Sequence, residues 1–264
     1  MRKWLFAVST ALLAMPALAD WNPGDPYKMH YPQLPDPNGW DVNVTRAPGQ
    51  LPVRMIADDF RCIESGPIND VHFWGSWRND IKGQIEWIDL SFYSDDPVGP
   101  GGTDPTNNYS KPDKELWFQS FHAGEFTERL YGGGLQGWYD PFTVPPTVIP
   151  QNHQQIWQYN ITNIPNISAL HQEAGKLYWL AISVRLAPTV VTDFGWKTSM
   201  SQHFMDDAVY VDLPGTGATP WHELVDPITG QSLDMAFVIT PEPVSVGLLV
   251  LAGAALPRRR RESV

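Results

Sequence analysis

The chain has 264 residues, 42% hydrophobic and 12% aromatic, with 18 basic against 29 acidic side chains and a formal charge of −11. That field repels phosphate backbones and anionic headgroups, which excludes nucleic-acid binding and a polybasic lipid-binding face and leaves divalent cations or neutral glycans as compatible partners. With a single cysteine, Cys62, there is no internal disulfide, so stability has to come from packing.

The predicted elements begin with a leader. Arg2 and Lys3, an apolar stretch from Trp4 to Leu13, and Ala17-Leu18-Ala19 follow the order of a secretory signal peptide, with cleavage by signal peptidase expected between Ala19 and Asp20. Residues 20–51 form an irregular arm crowded with Pro, Gly and Asn. Residues 52–240 are expected as one β domain and residues 241–264 as a separate tail. Setting both ends aside leaves 12 basic against 27 acidic residues, a formal −15, on a chain long enough for one real core.

Eight β-type runs separated by turn residues fill the domain: Val53–Cys62, Asp70–Trp77, Ile85–Tyr93, Glu115–Phe121, Gln155–Ile164, Lys176–Leu186, Asp206–Leu213 and Leu233–Thr240. Ile88, Leu90 and Phe92 alternate with Asp89, Ser91 and Tyr93, so that strand has one apolar face for a core and one polar face outward. The run from Leu177 to Val184 is apolar on both faces at its start, as in a central strand covered on both sides. Only Ile167–Gly175 carries a helical pattern, and Asp95–Asp113 and Gly132–Val148 are expected as long loops. The pattern predicts an all-β fold, a single jelly-roll-like β-sandwich.

Catalytic spacing is poor. The seven histidines lack zinc-site spacing, and neither a Gly-x-Ser-x-Gly elbow nor a phosphate-binding loop is present, so no catalytic residue is assigned. Asp58 and Asp59 are adjacent within a strand and so point to opposite faces. Asp95-Asp96 and Asp206-Asp207 lie at strand ends, where backbone carbonyls could complete the oxygen shell of a structural calcium ion. Eleven of the twelve tryptophans follow the leader; those inside strands are expected in the core. Trp138, Tyr139, Trp196 and Trp221 lie near turns, and are the candidates for exposed rings that stack on sugars.

The tail has three parts: Pro241-Glu242-Pro243, an apolar run from Val244 to Leu256, and Arg258, Arg259, Arg260 and Arg261. As a helix the run is about 20 Å long, short of the roughly 30 Å hydrocarbon core of a bilayer. The arginines hold the end in the cytoplasm, and the prolines keep the preceding segment extended and open to a processing enzyme. This order resembles the PEP-CTERM sorting signal. The resemblance implies a bacterial protein inserted transiently in the inner membrane, handled by an exosortase-type membrane enzyme, and delivered to the cell surface or extracellular matrix, often in cells that make exopolysaccharide. Ala57–Cys62, Phe73–Trp77, Phe194–Ser199 and Asp206–Val209 also resemble uncharacterised β-rich domains found with this tail, which implies no activity. The expected function is a non-catalytic exported sandwich that binds polysaccharide. A secreted glycan-active hydrolase and a calcium-stabilised adhesion module are the alternatives.

Overall fold

The structure, a computed structural model, describes residues 20–46, 54–103, 108–162, 164–200, 203–212 and 221–241. Ala17 and Ala19 of the leader, and Glu242, Pro243 and Arg258 to Arg261 of the tail, lie outside the described residues. The chain is strand-rich. Its strands are β1 (Trp40–Asn43), β2 (Thr45–Arg46), β3 (Arg54–Arg61), β4 (Gly66–Pro67), β5 (Asp70–Trp77), β6 (Ile85–Asp96), β7 (Lys111–His122) and β8 (Thr127–Asp140). They continue with β9 (Thr147–Ile161), β10 (His171–Gln172), β11 (Leu177–Leu186), β12 (Phe194–Lys197), β13 (Val209–Asp212), β14 (His222–Glu223) and β15 (Phe237–Thr240).

Two sheets lie in a sandwich-like arrangement. One runs β14-β13-β3-β11-β6-β7, with β2 also beside β11. The other runs β12-β1-β8-β9-β5-β15, and an added β12–β5 ladder closes β5, β9, β8, β1 and β12 into a cycle of pairings. Between the sheets, Phe73, Trp77, Tyr159, Phe194 and Trp196 share one core with Ile56, Phe60, Leu90, Phe92 and Ile182. Phe60 meets Phe237 edge-on at 6.0 Å, and Phe237 meets Trp196 at 6.0 Å, so aromatic contacts knit the layers. Such pairs add about 0.5–1.5 kcal/mol each beyond the area they bury.

The alternation in β6 is as expected, with Ile88, Leu90 and Phe92 in the core. Asp89 and Ser91 point away from it yet are also buried, Asp89 accepting from Ser120 and pairing with Arg46 at 3.4 Å. Strands β5 and β11 lie where the sequence places them. Three expectations change. The Gly132–Val148 loop is mostly strand: β8 runs through Gly132 to Gly134, and its register with β9 shifts three times between Leu130 and Trp138. These bulges absorb the glycines that mimic a loop in sequence. The helical pattern at Ile167–Gly175 is a turn followed by β10, and the only helical pieces among the described residues are two 3₁₀ turns. The arm is not wholly irregular, since it supplies β1 and β2 and packs Trp21 against Trp74 at 6.0 Å.

A chain of side chains joins the two ends of the described domain. Asn160 Nδ2 donates to Asp20 Oδ1 at 3.0 Å, His72 Nδ1 lies 2.7 Å from Asn160 Oδ1, and His72 Nε2 lies 3.4 Å from Thr240 Oγ1. Burial lowers the His72 pKa, which keeps the ring neutral and suits one donor and one acceptor nitrogen.

Candidate functional site

The turn Asp36-Pro37-Asn38-Gly39 delivers the chain into β1 and opens a groove of about 500 Å³. Trp40, Asp36, Asn38, Gln151, Asp226 and Leu135 are among its lining residues. Trp40 is mostly buried, edge-on to Tyr139 at 6.4 Å, and its indole Nε1 donates to Asp226 Oδ2 at 2.7 Å. Asp226 Oδ1 accepts from the Ile228 and Thr229 amides, both at 2.8 Å. Burial alone would raise the Asp226 pKa, but these hydrogen bonds together outweigh it and hold the carboxyl below its usual range. Asp226 is therefore an ionised anchor that fixes the ring. Gly137 lies beside β1, and a Cβ there would fall 2.3 Å from the Trp40 ring, so the absent side chain lets the indole lie on the backbone.

Under the groove lies a second interior, on the faces of the strand cycle that do not join the main core. Asp41 and Lys197 are fully buried and paired at 3.0 Å, and His153 Nε2 lies 2.7 Å from the same Asp41 oxygen. Lys197 Nζ also donates to the Gly39 carbonyl at 3.0 Å, which ties the floor of the groove to β12. Burial lowers the Lys197 pKa and Asp41 opposes that shift. Ser76 donates to Gln136 across the cycle at 2.9 Å, although β5 and β8 share no ladder.

This interior corrects part of the aromatic expectation. Trp138 is fully buried in it, register partner of Asp41 and 6.3 Å from His153, because a closed cycle covers the face that an open sheet would show to solvent. Trp196 is fully buried in the main core, and its Nε1 donates to the Ala236 carbonyl at 2.9 Å. Tyr139 is buried against Trp40, and burial pushes its hydroxyl pKa up to about 12. Trp221 is half-buried and edge-on to Tyr93 at 6.0 Å, where it covers a small outer core around Trp179. None of the first three offers a face to a sugar. The Pro-rich composition of the arm masks Trp40 in the sequence, although the alternation Trp40-Asp41-Val42-Asn43-Val44 is a strand signal.

The four candidate calcium ligands have protein partners. Asp95 accepts from Trp179 Nε1 at 2.9 Å, Asp96 from the Thr103 amide and hydroxyl, and Asp206 from the Ser110 amide and hydroxyl. Asp207 lies 4.0 Å from His203. Among the described residues no group of three or more His, Cys, Asp or Glu is arranged to hold a metal ion. Of the processing residues, Asp20 is exposed and 3.5 Å from Arg129, and Pro241 is half-buried directly after β15.

Ser232, His203 and Asp234 have the composition of a nucleophilic triad but not its wiring. Asp234 Oδ1 and Ser232 Oγ both lie 2.8 Å from the same ring atom, His203 Nδ1, and Ser232 Oγ is farther from Nε2, at 3.3 Å. A relay needs the acid on one nitrogen and the nucleophile on the other. Asp234 is also engaged by the Phe204 amide at 2.8 Å.

A family model described as a domain of unknown function, DUF7901, matches residues 29–240. No curated protein and no solved structure matches the chain.

Proposed function

From the membership of this chain in the DUF7901 family, a domain family without an assigned function, we propose on the chain's own geometry a non-catalytic sandwich, of jelly-roll type, that binds extracellular polysaccharide in the Trp40 groove. One observation carries the reading: a groove of about 500 Å³, floored by the edge of the largely buried Trp40 indole, sets carboxylate and amide side chains beside an apolar wall made by the exposed Leu135 and Ile228. Carbohydrates present both C–H faces and hydroxyls, and pockets that recognise small polar molecules combine an apolar wall with a few placed polar groups. The signal-peptide pattern and the PEP-CTERM-like tail support export, processing by signal peptidase and an exosortase-type enzyme, and residence at the cell surface or in the matrix.

Leu135 and Ile228 are exposed, so replacing both with alanine should leave the melting temperature within a few degrees. Retention of the double variant on the host's own exopolysaccharide should fall about tenfold, equivalent to about 1.4 kcal/mol. Undiminished retention by a folded double variant would reject the groove. Turnover of that polysaccharide by the unmodified protein would replace this reading with the hydrolase alternative.

A further inference from the structure

The cycle of β5, β9, β8, β1 and β12 encloses Asp41 and Lys197, which stand directly opposite each other in the antiparallel β1–β12 ladder. Lys197 Nζ lies 3.0 Å from Asp41 Oδ2, and His153 Nε2 lies 2.7 Å from the same oxygen. We propose that this is a self-modification site, where the Lys197 amine and the Asp41 carboxyl condense into an intramolecular isopeptide bond, with His153 as the proton-transfer group. The bond ties β1, in the N-terminal arm, to β12, joining residues 156 positions apart. It needs no ligand in the Trp40 groove and does not rest on the polysaccharide reading.

Burial prepares the nucleophile. The Lys82–Glu128 pair is over a third exposed, whereas the side chains of Asp41, Lys197 and His153 are all fully buried. One carboxyl therefore faces two basic groups in an interior where an uncompensated charge is costly. Burial draws the Lys197 pKa down, toward the neutral amine that can attack a carboxyl carbon. A neutral amine has two hydrogens and one lone pair. The Gly39 and Trp40 carbonyls, 3.0 Å and 3.4 Å from Nζ, can take the hydrogens and leave the lone pair for the carboxyl. Groups held together in this way reach effective concentrations of about 10⁵–10⁸ M, and no bulk water competes with the amine.

The protons are in place for the step. Asn152 Nδ2 donates to Asn79 at 2.6 Å, so Asn152 presents its oxygen to His153 Nδ1 at 3.1 Å, and that nitrogen carries a hydrogen. The short contact between His153 Nε2 and Asp41 Oδ2 then holds a second proton, on one atom or the other. Nζ bonds to Cγ as the Cγ–Oδ2 bond breaks. Oδ2 takes the proton shared with His153, the amine gives up one hydrogen that Nε2 passes on to Oδ2, and the oxygen leaves as water with the bonding electron pair. The balance is amine plus carboxylic acid to amide plus water, with no oxidant, reductant or co-substrate. Asp41 Oδ1, which has no hydrogen-bond partner among the described residues, remains as the amide carbonyl. The amide keeps one N–H for the Gly39 carbonyl. In a chain with a single cysteine, it supplies the internal cross-link that a disulfide cannot.

The test is peptide mapping of the protein purified from its own cells and unfolded before digestion with trypsin. The expected product joins the Met29–Arg46 peptide to the peptide that starts at Leu186, lighter than the two together by one water. It should be uncut after Lys197, because an acylated lysine is no longer a trypsin site. Lys197→Arg keeps the charge without the nucleophile and Asp41→Ala removes the carboxyl, so both should give separate peptides and run as unlooped chains, more slowly than the parent on a denaturing gel. The parent's own map decides the question even if neither variant folds. Folded His153→Gln protein should accumulate the joined form about a hundredfold more slowly after synthesis, and an equal rate would remove His153 from the chemistry. Separate Met29–Arg46 and Leu186–Lys197 peptides from the parent would overturn the bond, as would a loss of water confined to a single peptide. The Leu135→Ala, Ile228→Ala protein should form the bond in full, so its retention on polysaccharide judges the Trp40 groove separately.

Discussion

Asp58 and Asp59 are neighbours in the chain and occupy different interiors. Asp58 faces the main core, where it accepts from Gln33 Nε2 at 2.8 Å and from the Met235 amide at 2.7 Å. Asp59 faces the outer core, register partner of Trp179, with the Asp206 amide 3.4 Å away. Burial pushes both pKa values well up, reinforced by Asp234 at Asp58 and by Asp58 at Asp59. Burial likewise raises Asp234 to about 6, against the pull of the Phe204 amide and His203. The sign follows: in the folded chain these acids keep a proton that the unfolded chain, with an aspartate pKa near 3.9, has released. Their contribution to stability is fully present below about pH 4 and is lost as pH rises, for Asp234 through about 6. The melting temperature should therefore fall between pH 4.5 and pH 7.5, and Asp58→Asn should flatten that slope; an equal slope in the variant would refute the assignment. Cys62, buried and pushed up to about 12, should react with thiol reagents only after unfolding, which a timed labelling assay in and out of denaturant would read. Adjacency in a strand was enough to put the two aspartates on opposite faces. That both faces are covered depends on pairings remote in sequence.

The strand cycle explains which elements were legible and which were not. Strands β5 and β11 are dense in apolar residues and bounded by turn chemistry, so local pattern located them. Strand β8 broke that pattern because its glycines serve bulges and close approaches instead of a loop. A Cβ at Gly134 would lie 1.8 Å from the Pro37 carbonyl, a contact between segments about a hundred positions apart that no local window contains. The same long-range closure buried Trp138 and left Trp40 to line the groove. Closure itself rests on small residues: a Cβ at Gly75 would meet Phe194 at 2.3 Å and the Gly195 carbonyl at 2.4 Å, where β5 meets β12. Gly75→Ala should cost about 1–3 kcal/mol, or roughly 2–4 °C in melting temperature per kcal/mol at this size. Amides of β12 should then exchange faster than those of β3 and β11. Uniform protection across all three would show that the ladder does not depend on Gly75.

At the scale of the whole molecule, composition and acidity were readable at once, and the eight predicted runs gave the all-β class. The turn-rich composition of the arm hides that Gln33, Trp40 and Asp41 complete the core and the groove. The family match also begins inside it, at Met29. Intact mass of the native protein is expected to show a chain starting at Asp20 and ending near Pro241 to Pro243. A full-length product ending at Val264 in the inner membrane would count against the sorting account. The relay from Asp20 through Asn160 and His72 to Thr240 has a mechanical consequence. Asp20 and Thr240 sit at one pole of the domain, so force applied between the two ends is borne first by these few polar contacts and by the terminal β15 ladder, and the rest of the body hangs below as a pendant bead. Pulled by its ends in a single-molecule experiment, it should yield first by the peeling of β15 from β5, a short extension that precedes any rupture of the body.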